Sequence, residues 1–333
     1  MNQGQDRKNK GRDHQVKAMG HVALVVGGDS AEREISLRGG QAIAAALSKL
    51  GVQHSVVDGP RRLLEQVAGG HYDRVFNLLH GRGGEDGALQ GALRLYGVAV
   101  TGSGVTGSAL TMDKLQTKRI WTACDLPTPP WRVARSVESA ADIAAELKLP
   151  LFVKPAHEGS SIGMSRVDQV EQLAPAIAKA LEFDSTVLVE RCIEGDEYTA
   201  AILHDPDLYE QDGHEQDLHE QVLPLIGLET ETDFYDYAAK YERGDTRYRC
   251  PCGLSESKER ELAALCLKAF QVSGASGWGR VDLMLDEQQQ PWLLEINTTP
   301  GMTESSLVPK AAEAAGIDFE ELVWRILTTS RTD

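Results

Sequence analysis

Two runs decide the fold: Gly279-Arg-Val-Asp-Leu-Met-Leu-Asp286 and Pro291-Trp-Leu-Leu-Glu-Ile-Asn297, joined by the polar stretch Glu287-Gln-Gln-Gln290. β-like segments on either side of a polar turn predict an antiparallel hairpin. Folding it between Gln288 and Gln289 sets Asp282 opposite Glu295 and Arg280 opposite Asn297. Period-2 alternation then places Val281, Leu283, Leu285, Trp292, Leu294 and Ile296 on one apolar face, with Arg280, Asp282, Glu295 and Asn297 on the other. Opposed side chains in such a ribbon have Cβ atoms ~4.5–5.5 Å apart, where like charges repel. A divalent cation is the expected compensation, since two carboxylates and an amide oxygen are hard ligands suited to Mg²⁺ or Mn²⁺. The plainer alternative is a solvated strand pair, whose repulsion costs under ~1 kcal/mol at bulk dielectric. The loop that follows, Thr298-Thr-Pro-Gly301-Met-Thr-Glu-Ser-Ser306-Leu307, leads into a helix and offers backbone N–H groups and hydroxyls to an anion.

Upstream, Lys154-Pro-Ala-His-Glu-Gly-Ser160-Ser161-Ile-Gly-Met reads as a strand delivering a lysine into a Gly/Ser-rich flap that can cover phosphates. Val187-Leu-Val-Glu190-Arg-Cys-Ile-Glu-Gly-Asp-Glu197 puts two carboxylates near a strand end, where they could accept from an amino group or ribose hydroxyls, although such acids are usually surface charges. No G-x-x-x-x-G-K-[ST] occurs. Gly102-Ser-Gly-Val-Thr-Gly107 does match G-x-G-x-x-G, but it follows the fourth strand of its sheet rather than the first, which argues against a dinucleotide site.

The first third alternates strand and helix. Val22–Val26 is a continuous apolar run ending at Gly27-Gly-Asp-Ser30; Ser30 is the expected N-cap of a helix over Ala31–Leu50, with Glu32 in its first turn. Further strands are expected at Gln53–Val57, Val75–Leu79 and Val98–Thr101, and helices near Ala88–Tyr96 and Thr111–Cys124. Uniformly apolar strands between helices predict a parallel sheet covered on both faces. Leu126-Pro-Thr-Pro-Pro130 marks a linker, beyond which strands predominate. A chain of 333 residues implies roughly two or three domains. The expected boundaries are a disordered leader over 1–19, an N-terminal α/β domain over 20–103, a central subdomain over 104–192 and a C-terminal subdomain over 193–330.

Composition narrows the function classes. A formal charge of −16 runs against nucleic-acid binding, which needs clustered cations. With 41% hydrophobic and 25% charged residues the chain has material for a core, and no apolar run approaches the ~20 residues a membrane span requires. Five scattered cysteines build no disulfide framework, and Cys250-Pro-Cys252 is neither a redox nor a zinc motif. With no secretory signal before the first strand, a cytoplasmic location is expected. The acidic repeat between Tyr209 and Gln221 holds His214 and His219 five apart, the wrong spacing for two ligands on one helix face, and reads as a solvated insert.

In this order the strand–lysine–flap segment, the Glu190 strand and the Arg/Asp…Glu/Asn hairpin resemble the ATP-grasp superfamily, and within it the D-alanine–D-alanine ligase family. The resemblance rests on Gly27-Gly-Asp-Ser-Ala-Glu32-Arg-Glu-Ile-Ser, His80-Gly-Arg-Gly-Gly-Glu-Asp-Gly87, Met112-Asp-Lys114, Glu158-Gly-Ser-Ser-Ile-Gly-Met, Phe234-Tyr-Asp-Tyr-Ala-Ala-Lys240-Tyr241, Gly279-Arg-Val-Asp and Leu294-Glu-Ile-Asn-Thr-Thr-Pro-Gly-Met-Thr. It implies an N-terminal parallel-sheet α/β domain followed by a two-part ATP-grasp fold. ATP is expected to meet Lys114, Lys154, Ser161, Glu190, Glu197 and Lys240, and two Mg²⁺ (or Mn²⁺) ions to meet Asp282, Glu295 and Asn297. The resemblance further implies that Glu32, with His80 nearby, orients a first D-alanine, that Arg280 and the Gly301 N–H hold an oxyanion, and that Ser306 and Leu307 receive a second D-alanine. Glu32, Ser160 and Tyr241 are expected to form a hydrogen-bonded set. D-alanine and ATP are the expected partners, in a homodimer without nucleic acid or membrane. A relative with a D-serine or D-lactate acceptor, and a non-catalytic nucleotide binder using Gly102–Gly107, are the rival readings. The insert, Arg191 and Cys192 depart from the family pattern.

Overall fold

Five consecutive apolar residues, Val22–Val26, form β1, buried along its whole length because both faces of its sheet are covered. The computed structural model describes residues 12, 14–159, 162–205, 219–229 and 247–332. β1 lies between β2 (His54–Asp58) and β3 (Arg74–Asn77), and β4 (Ala99–Val100) extends the sheet in the order β2-β1-β3-β4, with parallel pairing throughout. Helices α1 (Arg33–Lys49), α2 (Pro60–Ala68) and α3 (Ala88–Leu95) supply the crossovers.

The α1 start differs from the expectation. Ser30 is not its N-cap: Glu32 occupies that position, and the Ser30 hydroxyl accepts the Glu32 N–H inside the preceding turn. The helix therefore begins two residues late, and the Glu32 carboxylate makes no cap bond. The helix expected over Thr111–Cys124 is also two, α4 (Val105–Met112) and α5 (Lys114–Ala123). Asp113 breaks them with an extended backbone and caps α5 by accepting from the N–H groups of Leu115 and Gln116.

Two antiparallel sheets follow. The first, in the order β5 (Trp131–Ala134), β8 (Val187–Arg191), β6 (Leu151–Pro155), β7 (Ser165–Val167), packs on α6 (Ala140–Leu147) and α7 (Val170–Leu181). The second runs β12 (Arg247–Arg249), β11 (Ile226–Glu229), β9 (Gly195–His204), β13 (Trp278–Asp286), β14 (Pro291–Asn297), with β10 (Glu220–Val222) also on β9. One face of this second sheet meets α8 (Glu256–Val272) and Trp121 of α5. The other shares a core with β1, α1, α9 (Leu307–Ala314) and α10 (Phe319–Thr328). The N-terminal and C-terminal sheets are thus joined by common apolar packing, which fixes their loops relative to each other.

Two further expectations need correction. Of the segment read as a disordered leader, residues 14–18 are helical, Val16 and Met19 pack on the shared core, and Arg12 lies over the Trp324 ring. Apolar contact with α10 orders what composition alone labelled as tail. In the hairpin, Asp282 pairs with Glu295 and Arg280 with Asn297 as expected, but a bulge follows and Leu283 pairs with Leu293. One extra residue inverts the alternation beyond it. Leu293 and Ile296 are the core residues of β14, whereas Trp292 and Leu294 are half-buried, and the Trp292 indole donates to Asp286.

The glycines of Gly102–Gly107 serve packing rather than phosphate. A Cβ on Gly107 would stand 2.1 Å from the Gly274 carbonyl oxygen, and the Gly102 N–H donates to the Thr329 hydroxyl. Gly107→Ala is expected to destabilise by about 1–3 kcal/mol through overpacking against backbone, read as a fall in Tm; an unchanged Tm would refute this role for Gly107.

Candidate active site

A cleft opens where the three sheets meet, lined by Glu32, Glu85, Thr111, Met112, Lys114, Gly159, Arg280, Glu295, Ile296, Asn297 and Thr298. The β13–β14 hairpin supplies its polar wall. Asp282 is buried and accepts two bonds from the Arg280 guanidinium, both 2.8 Å, and a third from the Thr199 hydroxyl at 2.6 Å. Across the ribbon, Glu295 lies 3.6 Å from the Lys114 ammonium. The carboxylate repulsion that suggested a cation in the sequence is thus already countered by one protein cation on each acid. The Asn297 amide oxygen accepts the Thr299 N–H at 3.0 Å, which orients it and leaves a second lone pair. Two carboxylates opposed in register beside an oriented amide oxygen remain a hard-oxygen donor set.

Behind Lys114 sits a buried ion triad. The Glu190 carboxylate is engaged by Lys118 at 2.7 Å and by Lys154, and Glu190 and Lys118 are each 1% exposed. Burial alone would raise the Glu190 carboxyl, but the two lysines outweigh it and hold the group below its ordinary value. Burial likewise pulls the Lys118 ammonium below the usual lysine range. For Lys154, Glu190 with Glu295 and Glu197 behind it overcomes burial and raises the ammonium. Glu190, expected to contact ATP, also fixes Lys154 from beneath. Lys118 also donates to the Thr128 hydroxyl, which in turn donates to the Leu293 carbonyl, tying the triad to β14.

The N-terminal sheet contributes the opposite wall. Glu32 approaches the flap, its Oε2 lying 3.7 Å from where a Gly159 Cβ would be. His80 is buried; burial lowers it below the ordinary imidazole value against the pull of Glu32, so it is neutral at neutral pH. Glu85 is a strongly perturbed acid of the cleft: desolvation first, then Glu32, pushes its carboxyl up to about 8. The stem of the flap is anchored on two sides, because the Lys114 ammonium donates to the Glu158 carbonyl and Arg82 pairs with the Glu158 carboxylate at 2.8 Å. The Ser306 hydroxyl accepts the Thr303 N–H at 2.9 Å just ahead of α9, and lies 3.0 Å from a would-be Gly301 Cβ, so Gly301 and Ser306 face one space.

Glu32, Lys114, Arg280, Glu295 and Asn297 are therefore brought to one cleft, with His80, Lys154, Glu190 and Asp282 directly behind its walls. Ser160, Ser161, Lys240, Tyr241 and most of the acidic insert lie outside the described residues. Sequence reading missed Lys118 and Glu85. Lys118 carries a signal in hindsight: it stands between Leu115 and Trp121 on the buried stripe of α5, where a lysine needs a partner. Glu85 stands inside the His80–Gly87 motif, but its contact with Thr299 arises only on folding.

Similarity to known proteins agrees with this geometry. Residues 120–328 match the family model described as D-ala D-ala ligase C-terminus. The chain is 53% identical over 317 residues to the D-alanine–D-alanine ligase of Alkalilimnicola ehrlichii, covering 95% of this chain and 96% of that protein. It is 51% identical over 319 residues to that of Methylococcus capsulatus, with coverage of 96% and 98%. A crystal structure of the Bacillus anthracis D-alanine–D-alanine ligase complexed with ATP superposes with a TM-score of 0.78 at 28% identity, over 93% of this chain and 96% of that one. A parallel-sheet domain followed by two antiparallel sheets around a lysine- and carboxylate-lined cleft, together with these likenesses, shows that the chain belongs to the D-alanine–D-alanine ligase family of the ATP-grasp fold.

Proposed function

We propose that this protein joins two D-alanine molecules into D-alanyl-D-alanine, a peptidoglycan building block, at the expense of ATP and through a D-alanyl phosphate. The observation that supports it most is the convergence in one cleft of Glu32, Lys114, Arg280, Glu295 and Asn297. In the first step a carboxylate oxygen of D-alanine bonds to the γ-phosphorus as the bond to ADP breaks. Lys114 and Lys154 counter the charge on the transferring phosphoryl group, and Glu190 holds Lys154 ready so that no reorganisation is needed at that moment. Asp282, Glu295 and Asn297 would hold two Mg²⁺ or Mn²⁺ ions, which when bound neutralise phosphate charge. Glu32 takes the ammonium of the first D-alanine and orients its carboxylate.

In the second step the free amine of another D-alanine attacks the acyl carbon. The oxyanion that develops is met by Arg280 and the Gly301 N–H. The C–O bond to phosphate then breaks, inorganic phosphate departs and the amine sheds its proton. Ser306 and the N-terminal turn of α9 at Leu307 receive the incoming carboxylate. Ser160 and Ser161 on the flap, Lys240 and Tyr241 would close over the site and exclude water, which otherwise hydrolyses the acyl phosphate. Glu197, on β9 beside the Glu190–Lys154 pair, would contact the nucleotide. The three sheets mark the proposed functional parts at 20–103, 104–192 and 193–330. A homodimer in the cytoplasm is the proposed state; the five free cysteines fit a reducing compartment, and sedimentation checks the dimer.

The test is phosphate release with ATP, Mg²⁺ and a panel of D-alanine, D-serine and D-lactate, with dipeptide identified by mass spectrometry. D-Alanine alone is expected to support turnover and yield the dipeptide. Turnover that required D-serine or D-lactate as acceptor would replace the substrate assignment, and no release with any of them would overturn the reading.

A further inference from the structure

Glu85 is half-buried in the cleft wall yet belongs to none of the roles above. One of its oxygens stays in its own loop and the other reaches a segment 214 residues along the chain. Oε2 accepts the Gly81 N–H at 2.6 Å within its own loop, and Oε1 accepts the Thr299 N–H at 3.3 Å in the loop after β14. That same Thr299 N–H is shared with the Asn297 amide oxygen at 3.0 Å. The loop carrying Glu85 is itself braced, because the Gly84 carbonyl accepts from the side-chain amides of both Asn77 and Gln90. A rigid loop of the N-terminal sheet therefore grips one peptide of the segment that bears Asn297 on one side and Gly301 on the other.

We infer that Glu85 is a positioning residue that, through the Thr299 N–H, sets the Asn297 amide and the Gly301 N–H for the transition states. The inference deepens the proposed function and rests on it. Glu85 does not share the task of Glu32: an acid pushed up to about 8 is neutral at neutral pH and offers little to a substrate ammonium.

The experiment compares Glu85→Ala and Glu85→Gln with the intact enzyme in three measurements. For Glu85→Ala, kcat is expected to fall by roughly 10–100-fold, the loss typical when an outer partner of a site ligand is removed. Equilibrium binding of a non-hydrolysable ATP analogue should stay within about 2-fold, under 0.5 kcal/mol. Amide hydrogen exchange across residues 296–302 of the ligand-free protein should accelerate. Glu85→Gln keeps one acceptor oxygen and the side-chain size, and should fall between the two. Unchanged kcat or unchanged exchange in Glu85→Ala overturns the inference, as does loss of analogue binding that matches the loss of kcat. If Glu85→Ala does not fold, Glu85→Leu, which keeps the bulk and removes both acceptor oxygens, decides: wild-type kcat and exchange there overturn the inference. The exchange measurement needs no substrate, so failure of the inference is separable from failure of the substrate assignment, which only the unmodified enzyme tests.

Discussion

Glu190→Ala is expected to lower stability by about 3–5 kcal/mol, because removing one partner of a buried ion cluster leaves a buried charge without compensation. The effect should be large here for a specific reason. Lys118 is 1% exposed, so it cannot swing to water once its carboxylate is gone, and burial already lowers its ammonium. The stranded Lys118 amine must then lose its proton or open the core between α5 and β8, whereas Lys154, 12% exposed, keeps Glu295 and Glu197 nearby. A loss of that size corresponds to roughly 4–7 °C in Tm for a chain of this length. Activity should fall as well, since Lys154 loses the group that fixes it beneath the proposed phosphate path. Thermal denaturation and phosphate release on one preparation check both statements. Glu190→Gln should be milder, keeping an acceptor oxygen for one lysine. A Glu190→Ala variant that melts with the unmodified protein would show that the triad contributes little, and would return Glu190 to the surface role its strand position first suggested.

Glu295→Gln is expected to do the opposite: abolish turnover and spare the fold. Glu295 is half-buried on the cleft side of β14, its neighbour Ile296 carries the core packing, and amide for carboxylate preserves shape. What disappears is a charge facing Lys114 and the position at which Mg²⁺ would be held. A drop in kcat on the order of 100-fold or more is expected, comparable to deleting a preorganised electrostatic group in other active sites. The Tm should move by no more than a few degrees, and raising Mg²⁺ should not restore full activity. Wild-type turnover in Glu295→Gln would rule out the proposed ligand set. The two substitutions make a contrast: the same amino acid on two neighbouring β-sheets carries stability in one place and chemistry in the other, and burial decides which.

Much of this division is invisible in one dimension. The pairing of Asp282 with Glu295 and of Arg280 with Asn297 is legible, because a short polar turn and period-2 alternation leave one register in which a charged set faces another. The bulge is not legible. Val281, Leu283, Leu285, Leu293 and Leu294 are all apolar, so either register buries hydrocarbon, and only packing against α8 selects Leu293 and Ile296. Likewise the all-apolar β1 announces a parallel sheet, while the start of α1 depends on a turn at Ser30 that no propensity distinguishes from a cap. The N-terminal helical turn over 14–18 escapes composition because its order comes from α10, three hundred residues away.

By itself the sequence determined the leading parallel sheet, the hairpin that lines the cleft and the chemical types gathered there, since these follow from local periodicity, turn residues and the kinds of atoms each side chain carries. The two-part fold after it came from the family resemblance. Only the tertiary structure decided which charges are buried, that Glu190 is held by two lysines, that Arg280 and Lys114 quiet the hairpin acids, and that Glu85 grips Thr299. The physical reason is that desolvation and hydrogen-bond partnership depend on neighbours brought together by folding, and such neighbours leave no periodic trace along the chain.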